Sequence, residues 1–432
     1  MTGWLSKIQK NAFDVRPGEM RALWLGFLFH FAILAGYYVI RPIRDEIGAA
    51  NAENLPWMFT ATLLTMLAAN ALFSAIVARM SRRRFIPLAY RFFILNLVIF
   101  FVLMRALPGE RAKWIGPCFF VWVSVFNLFA TSVFWAFMND LFTTEQGKRL
   151  FGFIAVGGSL GAILGGTITI SLVNRVSTGV LVLICAAMLE VAAQCVRFFP
   201  SQINPQASTD PNAEKPVGGT IWEGVTHICR SPYLFALMLF IVFYTVTSTW
   251  AYFQQSELTK AGFADRAART AFLANLDRWV NTATLIMQIF VTGRLMKYLG
   301  VTVTLVAMPA LSLFGFAAIG YQPVLSTLAF FQVARRAAAF AFMRPAREVL
   351  FTVLRREDKY KAKSFMDTFG YRCGDQIGAW SYGGLHALGI GLSAISYIAV
   401  PVVAAWCGLA VWLGRKQGHL ARHRERETVA AR

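Results

Sequence analysis

Charge is scarce in this sequence. Only 15% of its 432 residues are Asp, Glu, Lys or Arg, and the acidic ones number 22. Intrinsic disorder needs a polar, charged composition and is excluded. A coiled coil needs charged heptad flanks, and collagen needs glycine at every third position, so both fall as well. The six cysteines (Cys118, Cys185, Cys195, Cys229, Cys373, Cys407) are scattered and form no C-x-x-C. Neither a zinc site nor a disulfide framework is implied. H-E-x-x-H and G-x-x-x-x-G-K-[ST] are both missing, which removes a zincin centre and a P-loop. No catalytic residue, metal or cofactor is expected. The first twenty residues hold no apolar run, so no cleavable signal is expected there, and the first apolar stretch can act as its own signal.

What is abundant is apolar surface. Hydrophobic residues make up 57% of the chain, and Phe alone occurs 38 times. Soluble domains could not hide that much from water. The class left is an all-α integral membrane protein. Apolar stretches of spanning length fall at about 21–40, 56–79, 85–107, 114–139, 150–172 and 177–199. Six more fall at about 232–254, 271–293, 301–320, 323–343, 364–387 and 390–414, and each has the ~20 residues that cross ~30 Å of hydrocarbon. Twelve transmembrane helices are expected.

Lys and Arg concentrate in alternate connections: the N-terminal segment 1–20, residues 79–84, residues 344–363 and the basic tail 415–432. The connections after spans nine and eleven hold none. By the positive-inside rule both termini are cytoplasmic. The net charge of +20 is then a topology signal, with lipid head groups as its main partner and no nucleic acid.

The longest polar stretch, 200–231, is rich in Pro, Asn, Ser and Gly and reads as a cytoplasmic linker. It separates an N-terminal six-helix half (21–199) from a C-terminal one (232–414). Trp135-Ala136-Phe137-Met138 is echoed by Phe340-Ala341-Phe342-Met343, and Leu141-Phe142-Thr143-Thr144 by Leu350-Phe351-Thr352-Val353. Glu145 and Lys148 then correspond to Glu357 and Lys361. Both copies end the fourth span of their half, so the pattern predicts two parallel six-helix repeats of the major facilitator type.

A charge in mid-bilayer costs at least ~2.5–3.5 kcal/mol and needs a partner or a wet cavity. Arg335 and Arg336 lie in span ten, Asp277 and Arg278 in span eight, and Asp367, Arg372 and Asp375 in span eleven. Arg91 lies in span three and Glu190 in span six; Arg41, Arg44 and Asp45 close span one. Arg372 and Asp375 are three apart and can pair directly, while Asp367, Tyr371 and Asp375 share a face. Arg91 and Glu190 read best as an internal ion pair. Adjacent arginines point about 100° apart on a helix, so one carboxylate rarely serves both. A surplus of Arg suits a carboxylate or phosphate ligand. Tyr37, Asn127, Gln254 and Asn281 extend this binding set. For proton coupling or gating the candidates are Asp277, Asp375, Arg372, Asp367, His30 and Glu190, although a lone His in a span is more often a packing residue.

Gly157-Gly158-Ser159-Leu160-Gly161 matches a nucleophile elbow formally, but it sits inside span five rather than at a strand-to-helix turn. Gly157, Gly161 and Gly165 recur every fourth residue and form a face for close helix packing. The chain is not expected to be an enzyme.

Several motifs resemble a known family. Phe13-Asp14-Val15-Arg16-Pro17-Gly18-Glu19, Ile40-Arg41-Pro42-Ile43-Arg44-Asp45-Glu46 and Phe134-Trp135-Ala136-Phe137-Met138-Asn139-Asp140 are similar to segments of the ATP/ADP translocase-like nucleotide transporters, within the major facilitator superfamily. So are Arg344-Pro345-Ala346-Arg347-Glu348 and Tyr360-Lys361-Ala362-Lys363 before Asp367. The resemblance implies a twelve-helix secondary transporter of a bacterial inner membrane, a monomer, whose halves rock about a midplane site. It also implies a nucleotide or nucleotide-like substrate. Arg44 matches a basic position of the family's nucleotide exchangers. Three other charged positions of theirs fall on Phe120, Ala251 and Asp375 here. That pattern implies a related organic anion, or export rather than import. In this reading Arg41 and Arg44 attract the anion, Arg335 and Arg336 bind it with Arg278, and Asp375 with Arg372 couples protons or releases it. The basic ends Arg82–Arg84 and Arg344–Lys363 latch the cytoplasmic side through Glu348 and Asp367. A proton-coupled exporter of a drug, siderophore or lipid remains an alternative, as does a non-transporting scaffold or sensor.

Overall fold

A computed structural model describes residues 16, 18–77, 82–107, 113–200, 228, 231–354, 363 and 365–430. The expected linker and most of the N-terminal segment lie outside the described residues, as do Glu357, Lys361 and the side chains of Arg82–Arg84 and Lys148. Helices account for the regular structure, and no strand occurs among the described residues. In chain order they are α1 (Met20–Ala50), α2 (Leu55–Val77), α3 (Arg82–Ala106), α4 (Ile115–Leu141), α5 (Thr144–Leu172) and α6 (Thr178–Phe198). Then follow α7 (Pro232–Gly262), α8 (Arg266–Met287), α9 (Gly293–Tyr321), α10 (Leu325–Ala338), α11 (Arg344–Leu350), α12 (Tyr371–Ala387) and α13 (Leu392–Ala430).

Among the described residues, eight helical segments are long and apolar enough to cross a membrane. The protein is a multi-pass, α-helical membrane protein. Helices satisfy every backbone group internally, which hydrocarbon demands. One segment, Arg266–Tyr321, runs for 56 residues. At 1.5 Å per residue that is more than twice the ~30 Å of hydrocarbon. It turns at Gly300, whose φ of 77° suits a residue without Cβ.

The chain forms two compact units: one is Met1–Gly48, Ala61–Glu214 and Phe263–Asn281, the other Ala49–Thr60, Lys215–Gly262 and Thr282–Arg432. In the first unit α1 runs through the core. Phe29 meets Tyr90, Phe134 and Phe137 edge-on at centroid distances of 5.7, 5.0 and 6.2 Å. Helix α5 starts at a capping box, in which Gln146 N donates to Thr143 Oγ1 and Thr143 N donates to Gln146 Oε1. It then lies directly on α1. A Cβ added at Gly157, Gly161 or Gly165 would come within 2.6, 2.2 or 2.3 Å of the carbonyl oxygens of Phe27, Phe31 and Ala35. One turn on, Thr169 Oγ1 donates to Val39 O at 3.0 Å. The glycine face read from the sequence is thus a backbone-to-backbone seam.

In the second unit α12 lies on α7 in the same manner. A Cβ at Gly370, Gly374 or Gly378 would meet Met238, Thr245 or Thr249 at 2.8, 1.7 and 2.8 Å. Helices α9 and α13 pack side by side, with Gly320 against Tyr397 and Gly414 against Thr302. Trp406 is fully buried beside Phe240, at 5.5 Å between ring centroids. Three π-helical turns interrupt this unit's helices, at Gln288–Thr292, Ala339–Met343 and Met366–Gly370. Such turns mark strained or functional places in helices more often than ordinary ones.

Candidate functional site

Two polar clusters stand inside the apolar helices, one in each unit. In the first unit the end of α1 meets the first turns of α8. Arg41 Nη1 lies 3.4 Å from Asp277 Oδ1, and Arg41 Nε lies 3.6 Å from Asp45 Oδ2. Arg41 Nη1 also donates to the Tyr38 hydroxyl at 3.3 Å. Arg44 donates to Asp45 Oδ1 at 2.7 Å and to Ser124 Oγ at 2.9 Å, and its guanidinium sits 4.1 Å from the Phe120 ring centroid. Glu46 is 2% exposed and accepts from Arg266 Nε at 3.0 Å and Arg269 Nη2 at 2.8 Å. Arg269 goes on to donate to the carbonyls of Phe263 and Ala264 at the helix start. Four arginines thus face three carboxylates in two adjoining groups: Arg41 and Arg44 with Asp45 and Asp277, and Arg266 and Arg269 with Glu46.

Of the predicted residues, Arg41, Arg44 and Asp277 come together here. Tyr37 is half-buried next to them, its ring 5.2 Å from that of Tyr38. Arg278 turns away and donates to Asn275 Oδ1 at 2.7 Å, and Asn281 Nδ2 donates to the Asp277 carbonyl at 2.8 Å. Asn127 is half-buried on α4. His30 is packed: its Nδ1 is 3.0 Å from Ile154 O, its ring stacks on Phe134 at 4.4 Å, and it fills the place a side chain at Gly158 would take. Glu190 pairs with Arg91 at 3.1 Å between α6 and α3, on an outward face. Glu46, Arg266 and Arg269 were not predicted. Their only sequence signal is the spacing of two arginines three apart at the start of α8.

The second cluster surrounds Arg335 on α10, which is 5% exposed. Its Nη1 donates to Ser248 Oγ at 2.7 Å, and its Nε and Nη2 donate to Gln332 Oε1 at 3.3 and 3.0 Å. Gln332 Nε2 in turn donates to Gln255 Oε1 at 2.9 Å and to Ala251 O at 3.1 Å. Among the described residues no carboxylate pairs with Arg335; its partners are neutral. A guanidinium buried with neutral dipoles alone keeps its charge uncompensated, and hydrogen bonding offsets only part of its lost hydration. Arg336, half-buried, points to the neighbouring face. Both precede the π turn Ala339–Met343, where Ala339 N bonds the carbonyls of Arg335 and Arg336. Gln254 faces Ser396, at 2.8 Å, rather than Arg335. The residues that sequence reasoning missed are Ser248 and Gln255, two turns apart on α7, and Gln332, one turn before Arg335.

Arg372 and Asp375 pair at 3.0 Å, as their spacing predicts. Arg347 bridges Asp367 at 3.0 Å, Glu348 at 3.1 Å and the Tyr371 hydroxyl, and Lys363 pairs with Glu348. Burial pushes the Glu348 carboxyl up, but Lys363 and Arg347 outweigh it and hold the group below its ordinary range. In the first unit Glu19 has a matching setting. Burial raises it, and hydrogen bonds from the Arg16 N–H, Arg149 and Gln146 more than reverse that.

An apolar helical protein with buried charged clusters and close glycine seams has the features of a membrane carrier. The model of the Major Facilitator Superfamily matches residues 23–264, more than half of the chain. The chain belongs to the Major Facilitator Superfamily. That is a family of transporters, not of enzymes, and the reading against catalysis agrees with it. Among curated proteins the chain is similar to ADP,ATP carrier protein 1 of Chlamydia muridarum, 21% identical over 94% of this chain and 89% of the relative. It is also similar to the chloroplastic ADP,ATP carrier protein 1 of Arabidopsis thaliana, 22% identical over 89% of this chain and 72% of the relative. Two solved structures share the fold. A bacterial homolog to human lysosomal transporter, Spinster, aligns with TM-score 0.60 at 14% identity over 93% of this chain and 99% of that one. Nucleoside transporter NupG aligns with TM-score 0.57 at 14% identity over 94% and 99%.

Proposed function

We propose that this major facilitator is a secondary transporter that works by alternating access and carries an organic anion, nucleotide or nucleotide-like, with Arg335 as its principal anion-binding group. One observation carries the reading. Arg335 is buried, held in position by Ser248 and Gln332, and paired with no carboxylate among the described residues. Its charge is thereby oriented and left for an anionic ligand, which a guanidinium can grip with two parallel hydrogen bonds. The similarity to ADP,ATP carriers supports a phosphate-bearing substrate. Arg336, Arg278, Tyr37, Asn127, Gln254 and Asn281 complete the binding set in this proposal. Arg41, Arg44 and Asp277 gate it, and Asp375 with Arg372 releases the anion by competing for arginine. The fold in this reading is twelve spans in two parallel six-helix repeats, in a bacterial inner membrane with both termini cytoplasmic. The two glycine seams, α5 on α1 and α12 on α7, support the repeat: each joins the first and fifth spans of its half.

A thermal-shift screen of the purified protein against ATP, ADP, other nucleotides, phosphate and organic anions tests it. A ligand at 100 times its Kd stabilises by about 2.7 kcal/mol, a shift that is easily read. The expected result is stabilisation by a phosphate- or carboxylate-bearing compound that disappears in Arg335→Ala. Response to apolar compounds alone, unchanged in Arg335→Ala, would overturn the anion reading in favour of an exporter.

A further inference from the structure

We infer that the membrane-proximal end of α13 holds the head group of an anionic phospholipid, independently of what the protein carries. Helix α13 has 39 residues, about 58 Å at 1.5 Å per residue, against ~30 Å of hydrocarbon. Packing fixes where it leaves the bilayer. A Cβ at Gly414 would lie 2.5 Å from Thr302 Oγ1 and 2.7 Å from Thr302 Cα. Thr302 stands two residues beyond the turn at Gly300, which divides the short first stretch of α9 from its long apolar part. Gly414 is therefore level with that turn, and the rest of α13 projects past it.

At that level lies an open, shallow groove along one face of α13, lined by Gly408, Val411, Trp412, Arg415, Lys416 and His419. Its polarity is graded along the helix. Gly408 and Val411 form the apolar end; Trp412, 42% exposed, stands where indoles favour the interface. Arg415, Lys416 and His419 follow within two turns. Among the described residues no acidic side chain lines it, and neither Arg415 nor Lys416 has a carboxylate partner. The exposed Arg294 and Lys297, just before Gly300, add positive charge at the same level. A small free anion would use the cationic half only. A phospholipid uses both, with phosphate on Arg415 and Lys416 and glycerol and first acyl carbons along Val411 and Gly408.

Native mass spectrometry of the full-length protein in detergent tests this, with phosphatidylglycerol, phosphatidylcholine and inorganic phosphate as probes. Phosphatidylglycerol should be retained over phosphatidylcholine. Each cation near an anionic head group contributes about fivefold, so Arg415→Gln with Lys416→Gln should weaken retention roughly 25-fold. Nothing lies within 4 Å of a Cβ at Gly408. Gly408→Leu should therefore fold, fill the apolar half and weaken phosphatidylglycerol several-fold with both cations intact. Equal retention of the two lipids, wild-type retention in the double variant, or displacement of phosphatidylglycerol by millimolar inorganic phosphate would each overturn the proposal.

Discussion

Arg41 and Arg335 both sit in apolar helices, and their surroundings are opposite. Arg41 reaches two carboxylates, Asp45 and Asp277, while the neighbouring Glu46 is held by Arg266 and Arg269. Arg335 reaches a hydroxyl and an amide. In the first unit, charge is consumed in joining α1 to α8. In the second, one cation is oriented by dipoles and its charge is left over. Helix geometry differs in the same sense. Trp135–Met138 lie inside the unbroken α4, whereas the matching Phe340–Met343 fall in a π turn directly after Arg335 and Arg336. Around Arg41 the helices are regular and the arginine meets carboxylates; beside Arg335 the helix is irregular and its partners among the described residues are neutral. The physical lesson is that an intramembrane arginine has two possible roles, and its partners rather than its depth decide between them.

The sharpest way to break the contrast is to remove one member of each cluster. Glu46→Ala leaves Arg266 and Arg269 around an empty place, and loss of one partner from a buried ion pair costs about 3–5 kcal/mol. A large fall in melting temperature without ligand is expected. Arg335→Met removes a buried charge that no carboxylate offsets, so the melting temperature without ligand should hold or rise. If both variants lose stability equally, the two arginine environments are alike in kind and the distinction fails.

Much of this organisation is legible in the sequence, and the limits are physical. Apolar run length shows the membrane helices, because hydrocarbon thickness sets that length. Arg372 with Asp375 can be paired from spacing alone, since i,i+3 neighbours on a helix touch whatever lies around them. Arg41 with Asp277 could not be, because that contact depends on how α8 packs against α1. For the same reason Gln254 entered the expected binding set and Gln255 did not, whereas the rotation of α7 sends Gln254 to Ser396 and Gln255 to Gln332. The glycine spacing of α5 was readable as a packing face. The equal spacing of Gly370, Gly374 and Gly378 carried the same signal in a stretch where the charges of span eleven drew the reading instead.

Those two seams give the next comparison. A methyl group at Gly161 would meet the Phe31 carbonyl oxygen at 2.2 Å, and backbone cannot turn aside. At Gly374 it would meet Thr245 Oγ1, which a rotamer change can move, and Thr245 Cβ at 2.9 Å, which stays in place but is farther off than the Phe31 oxygen. Gly161→Ala should cost about 1–3 kcal/mol and Gly374→Ala less, by the usual penalty for overpacking. Gly384→Ala on the same α12, with nothing within 4 Å of its Cβ, should be neutral or slightly stabilising. Melting temperatures of the three variants check the order, and a Gly374→Ala loss exceeding that of Gly161→Ala would mean the second seam is the more rigid.

The smallest expected difference lies between Glu19 and Glu348, carboxylates held below their ordinary range in the first and second units respectively. Because the folded value is depressed, each contributes stability that is present above the unfolded carboxyl value of about 4.3 and is lost as pH falls through the lower folded value. Glu19 is the more enclosed, with 9% of its side chain exposed against 46% for Glu348, so solvent screens its partners less. Glu19→Gln should therefore lower stability at pH 7 by about 1 kcal/mol, the scale of a hydrogen bond to a charged group partly retained by an amide. Glu348→Gln should lower it less. As pH falls through their depressed folded values the wild-type carboxyls protonate and both differences should shrink. Melting curves of the three proteins between pH 7 and pH 3 check this. A Glu348→Gln effect larger than that of Glu19→Gln would show that the partly exposed Arg347–Glu348–Lys363 cluster is the stronger of the two, and that exposure is a poor guide to it.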